Sequence, residues 1–209
     1  LVHGPEKDPG RVTTHDLFAA LGLPIARDAD DVHEAWRRRE PVFMPTAALC
    51  PALMPLLDLR WTLGLRNPGH TVAKLLAPRE TPCLRVVNYT HPEYGIAHTR
   101  CLQASRAHAL LLRGTEGEPV ADPRRRPALD VFIDGVARPD LGRAPQEGVL
   151  TELPLLPRQC DAASTALYIQ AVVSGEQPVP AALLDQVEVL VRARTALQQF
   201  RQRQHERSA

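Results

Sequence analysis

Arg60, Arg66, His70 and Lys74 fall within one stretch, RWTLGLRNPGHTVAKLLAP at residues 60–78, with Arg79 directly after it and no acidic side chain among them. These cations bracket a turn at Asn67, Pro68 and Gly69, and the chemistry they suit is the binding of an anion, with phosphate the first candidate. A helix beginning near His70 would add backbone N–H groups and a positive dipole end to the same site. The competing reading is a set of helix-end charges paired with Asp58 and Glu80. A second cationic group, Arg124, Arg125 and Arg126, stands between Pro123 and Pro127 and reads either as a phosphate-tracking loop or as a solvated one. The triplet Arg37, Arg38 and Arg39 reads as a solvated helix end.

Acid–base chemistry finds little support. His3, His70 and His91 could each act as a base, yet none has a carboxylate or nucleophile at recognisable spacing, and all are read as structural. Cys50 and Cys101 flank helices rather than turns. Glu116 and Glu118 shape a glycine loop, with no second acid pair to accompany them. No catalytic residue and no metal ligand is assigned.

The elements that must position these cations follow from local signals. Thr13 or Thr14 caps a helix that Gly22 stops. A second helix is expected over residues 30–39, with Asp30 and Asp31 at its positive end. Residues 41–45, PVFMP, read as a short buried strand, followed by a proline-punctuated helix ending at Gly64. Residues 83–88 form a strand, residues 92–105 a helix, and HALLLRG another strand. Together these three make a right-handed crossover unit of a largely parallel sheet. The loop GTEGE after that strand puts Arg113, Thr115, Glu116 and Glu118 where ligands of such sheets bind. A further strand is expected over 128–133, a long connection over 139–157, and closing helices over 161–174 and 181–203, with residues 204–209 a frayed tail. The whole is one α/β domain over residues 1–209.

Composition narrows the function classes. With 44% hydrophobic residues the chain has ample material for a core, and its formal charge of +1 gives no global attraction to polyanions. Arg outnumbers Lys by 23 to 2, which favours planar two-pronged phosphate contacts, although a GC-rich genome produces the same bias. Cys50, Cys83, Cys101 and Cys160 form no CxxC pair and no secretory segment is present, so reduced thiols and a cytoplasmic location are expected. No run approaches the ~18 apolar residues of a membrane span. The chain opens at Leu1 without Met, and an upstream segment holding part of a site is expected.

In combination, VHG, THDLFAALGLP, PVFMP followed by CPAL, LRWTLGLRNPGHTVAKLLAP and LLLRGTEGE resemble the C-terminal α/β domain of the anthranilate phosphoribosyltransferase family, glycosyltransferase family 3. They are more closely similar to its DNA-binding paralogues of the YbiB type. RVTT, PVFMP, HPEY and GTEGE in this order carry the resemblance, which covers nearly the whole chain. It implies a nucleoside phosphorylase/phosphoribosyltransferase fold whose upstream helical domain and Gly-rich loop are missing here. It also implies a parent protein that dimerises through that domain.

The resemblance implies changes at the enzyme's site. A Lys-His-Gly-Asn-Arg segment that binds phosphoribosyl pyrophosphate in the enzymes matches Val2-His3-Gly4-Pro5-Glu6, so one cation becomes apolar and another acidic. An Asp-Glu pair that holds magnesium matches Pro119 and Val120, neither of which has a ligating side chain. Asp122, Glu116 and Glu118 are near enough in sequence for a rearranged metal site. Arg60 matches the arginine that contacts the aromatic acid, and Lys74 is a gained cation.

The leading expectation is therefore a noncatalytic, largely sequence-independent DNA or other nucleic-acid binder. Its phosphate contacts are Arg60, Arg66, His70, Lys74, Arg79, Arg124, Arg125 and Arg126, with His3 and Gly4 marking a degenerate phosphoribosyl pyrophosphate segment and no cofactor. The alternative is an active, magnesium-dependent phosphoribosyltransferase acting on anthranilate or a related aromatic acceptor. A third reading is a fragment with no activity of its own.

Overall fold

The computed structural model describes residues 1–77, 83–115, 118–148, 150 and 152–208. Their contacts group into two compact units, Leu1–Ala73 with Leu156–Pro178, and Lys74–Leu155 with Val179–Ala209.

The first unit is built on a parallel pair, β1 (Val2–Gly4) and β2 (Phe43–Pro45), with His3 opposite Met44. Between them run α1 (Thr14–Leu21) and α2 (Ala29–Arg37). The ends of α1 are where the sequence places them. The Thr13 hydroxyl accepts from the Asp16 N–H, the Asp16 carboxylate accepts from the Thr13 N–H, and Gly22 closes the helix at φ 67°. Asp28 caps α2 by accepting from the N–H groups of Asp30 and Asp31. At its other end Glu34 pairs with both Arg37 and Arg38, and Arg38 also bonds Glu40, so two of the three arginines are neutralised locally. Ala26, Val32, Ala35, Val42 and Met44 form the unit's core.

Beyond β2 the proline-punctuated segment becomes α3 (Thr46–Leu49), a 3-10 turn at Pro51–Leu53, and α4 (Met54–Leu63), closed by Gly64 in the left-handed region. The short α5 (Gly69–Ala73) follows, and α7 (Ala162–Ser174), capped by Asp161, packs against α1.

The second unit contains β3 (Leu84–Tyr89), α6 (Pro92–Ala104), β4 (His108–Thr115), β5 (Glu118–Ala121), β6 (Leu129–Ile133), β7 (Val136–Ala137) and α8 (Ala181–Ser208). The parallel crossover is present: β3 pairs with β4 from Leu84 opposite His108 to Tyr89 opposite Arg113. The sheet as a whole is mixed rather than largely parallel. It runs β3-β4-β6-β7, with β5 also on β4, and every pairing after the first is antiparallel. The reason is connection length. Parallel return needs a crossover of a dozen or more residues, and the links from β4 to β5 and from β6 to β7 are far too short. The second of these is Asp134-Gly135, with φ of 55° and 74°, the pairing of positive values that a tight hairpin turn demands. A β-carbon at Gly135 would also lie 2.6 Å from the Gln103 carbonyl oxygen.

Alternation along β4 explains its continuous apolar run. Leu110 and Leu112 join Leu129, Val131 and Ile133 against Val189, Ala193 and Leu197 of α8. Ala109 and Leu111 join Val87 and Phe132 against Leu102 of α6. Both faces are covered along residues 109–112, which is why that run is apolar throughout. The molecule is thus a mixed α/β structure with sheets flanked by helices. Helix α8 continues to Ser208, past the end at Arg203 that the sequence predicts. Among the described residues, no helix is long and apolar enough to cross a membrane.

Candidate functional site

The turn before α5 is organised by Asn67. Its side-chain oxygen accepts from the Gly69 N–H at 2.9 Å, and its amide donates to the Leu56 carbonyl at 2.5 Å. The His70 N–H bonds the Asn67 carbonyl, and those of Thr71 and Val72 bond the Pro68 carbonyl. The backbone donors expected to face an anion are therefore spent inside the turn, because an asparagine two residues ahead of Gly69 supplies its own acceptor. Five residues of helix also add little dipole. What remains for an anion is the side chains.

Three of them come together in the first unit. The Arg60 and Arg66 charges both reach His70, as does that of Asp8. Burial is the main cause that holds the His70 imidazole below its ordinary range; the bond to Asn67 and the Asp8 carboxylate oppose it, and the two arginines reinforce it. His70 is thus an uncharged polar group near neutrality. Arg60 turns its fork onto Asp8 at 3.0 and 3.4 Å, and its guanidinium carbon lies 4.2 Å from the centre of the Trp61 ring. Its partner is not Asp58, and Glu80 lies outside the described residues. Arg66 is exposed, with no carboxylate partner among the described residues.

The other candidates belong to the second unit or lie outside the description. Lys74 starts the second unit, where its charge helps to depress the buried His98. Arg79 and Glu116 fall outside the described residues. The triplet after β5 is divided by its bonding. Arg124 grips Asp122 at 3.0 and 3.1 Å, Arg126 grips Asp185 of α8 at 2.6 and 2.7 Å, and Arg125 is exposed without a carboxylate partner among the described residues. Asp185 is also bound by Arg143. Arg126 is thus part of the clamp that holds the loop to α8.

His3 and Gly4 form the end of β1, where the imidazole is held below its usual range chiefly by burial and its Nδ1 has no hydrogen-bond partner among the described residues. Pro119 and Val120 lie in β5. Gln186 of α8 donates to the Pro119 carbonyl at 2.9 Å and accepts from the Ala121 N–H at 2.8 Å. The segment that the resemblance aligns with a magnesium-holding pair is therefore a strand fastened to a helix. Its side chains offer no oxygen and the Pro119 carbonyl accepts from Gln186, so these residues do not fit a magnesium ion. Asp122 nearby is occupied by Arg124.

Asp8 and Trp61 are the residues that sequence reasoning missed. A lone acid beside Lys7 and Pro9 carries no signal of a partner 52 positions away. Trp61 was in plain view next to Arg60, and an Arg-Trp dipeptide near a helix end was the available cue.

The chain is similar to two curated proteins, and both matches are consistent with an anthranilate phosphoribosyltransferase-like C-terminal domain. It is 34% identical over 184 residues to the uncharacterized protein YbiB of Escherichia coli strain K12, a match covering 88% of this chain and 56% of that protein. It is 28% identical over 178 residues to anthranilate phosphoribosyltransferase of Synechococcus sp. strain CC9311, covering 84% of this chain and 51% of the enzyme. The chain thus spans about half the length of the curated relatives it matches. No family model matches the sequence.

Proposed function

We propose that this protein is a noncatalytic nucleic-acid binder that holds DNA through phosphate contacts with little regard to base sequence. The observation that carries this reading is the exposure of Arg66 and Arg125, each without a carboxylate partner among the described residues, while Arg60, Arg124 and Arg126 are engaged by Asp8, Asp122 and Asp185. Two exposed guanidiniums that form no close ion pair among the described residues, in a chain of nearly balanced charge, are available for external anions, although the Arg125 charge also acts on Asp122. The noncatalytic part is supported by the setting of Pro119 and Val120 in a strand whose backbone is bonded to Gln186. His70 adds a neutral hydrogen-bonding group beside Arg66 rather than a charge.

The test is binding of duplex and single-stranded DNA by the protein across a salt series. Affinity should fall steeply with salt, and Arg66→Ala and Arg125→Ala should each reduce the slope by about one. Arg126→Ala should leave the slope unchanged. Undetectable binding would overturn the reading, and magnesium-dependent consumption of phosphoribosyl pyrophosphate would overturn it in favour of a transferase.

A further inference from the structure

Trp61 is 55% exposed, an unusual position for a tryptophan, and the structure shows what keeps it there. The Arg60 guanidinium lies over its ring at 4.2 Å, and that guanidinium is itself fixed by the two-pronged bond to Asp8. The side chains of Arg60 and Asp8 are 22% and 9% exposed, so the brace is largely shielded from water. One contact of the indole is thus a pinned cation, and more than half of the residue's surface stays open to solvent. Leu63 and Leu65, which follow in the sequence, are also exposed, and Arg66 comes after the Gly64 helix end.

We propose that Trp61 is a stacking platform for a base of a single-stranded nucleic acid, with Arg66 contacting the adjacent phosphate. This rests on the nucleic-acid reading above and adds to it a preferred form of ligand. A flat, braced aromatic surface with an exposed guanidinium five residues further along the same segment matches a nucleotide in both parts, a planar apolar base and an anionic link. A duplex keeps its bases stacked on one another and cannot offer a free base face, whereas a single strand can. Stacking of this kind is worth about 1–3 kcal/mol per base and tolerates any sequence. Bracing by Asp8 and Arg60 lowers the ordering cost, because the ring's position is set before the ligand arrives.

Trp36 and Trp61 are the two tryptophans of the chain, which makes the test direct. In a Trp36→Phe variant all indole fluorescence reports on Trp61. Titration with a single-stranded oligothymidylate should quench it, and a DNA hairpin duplex at the same salt should not. Trp61→Ala should weaken oligothymidylate binding by about 5- to 150-fold, the equivalent of that stacking energy, and leave duplex binding unchanged. Trp61→Phe should retain part of the single-strand affinity. Oligothymidylate bound as tightly by Trp61→Ala as by the parent protein, with a matching thermal melt, would overturn the platform while leaving phosphate binding intact. Absence of binding to either DNA by the parent protein would overturn both readings.

Discussion

Asp8 and Arg60 stand 52 positions apart in the chain and close a two-pronged ion pair at 3.0 and 3.4 Å. The pair ties the loop after β1 to α4, and it means that the guanidinium best placed by sequence to bind phosphate already holds a carboxylate. An external anion must displace an internal one that is held at high effective concentration. Asp8→Asn keeps the shape and removes the charge. It should cost about 1.5–3 kcal/mol of stability in a urea titration, the worth of hydrogen bonds to charged groups. In a salt series it should steepen the slope for DNA by about one contact, because Arg60 becomes available. An unchanged slope would show that Arg60 stays engaged by Trp61.

How much of this was legible depended on whether the cause was local. The ends of α1 follow from Thr13, Asp16 and Gly22 acting on their own backbone neighbours, so they could be read from the sequence. The buried alternation of β4 was legible as an apolar run for the same reason. Grouping of Arg60, Arg66 and His70 was also local, since one turn brings them together. The partner of Arg60 was not, because nothing near Asp8 in sequence records a contact with α4. Lys74 belongs to the other compact unit although it is close to His70 in sequence, and no spacing rule reveals that division. The sheet's mixed direction was in principle readable from Asp134-Gly135, a two-residue hairpin signal between Ile133 and Val136 that the crossover pattern upstream obscured.

Asp185 is 6% exposed at its side chain and receives Arg126 from the loop after β5 and Arg143 from the connection after β7. Burial raises its carboxyl, but the bond to Arg126 and the charges of both arginines outweigh it, leaving the group below its ordinary range. Asp185→Ala removes the shared acceptor and should cost about 3 kcal/mol, the low end for breaking a buried pair. Arg126→Ala should cost less, because Arg143 still neutralises the carboxylate. Denaturant midpoints of the two variants should therefore rank in that order, and equal losses would place the clamp in the Arg126 contact alone.

Gln186 bonds β5 twice, and its side-chain oxygen is the partner of the Ala121 N–H. In Gln186→Ala a buried donor loses its acceptor, a loss of about 1–3 kcal/mol. Gln186→Glu keeps the acceptor for Ala121 but places a second oxygen against the Pro119 carbonyl, so it should recover only part of the stability. Hydrogen exchange at Ala121 provides the local readout: protection should drop sharply in the alanine variant and persist in the glutamate one. Protection retained in Gln186→Ala would mean that the sheet alone secures β5.

His98 is 3% exposed in α6, and neither ring nitrogen has a hydrogen-bond partner among the described residues. Burial first, and the Lys74 charge second, hold its imidazole below the usual value. The unfolded chain therefore binds protons more readily than the folded one, and stability rises with pH across the interval between the two. The contribution is fully present above the unfolded value of about 6.5, declines as pH falls below it, and is lost once pH passes the folded value. His3, His70 and His108 are shifted in the same direction, so thermal melts should show a falling midpoint on acidification. His98→Leu replaces a buried polar ring that has no partner among the described residues by an apolar side chain. Relief of about 1 kcal/mol would raise the midpoint by about 2–4 °C, and the fall on acidification should become shallower. A slope as steep as the parent's would assign the pH response to the other three histidines.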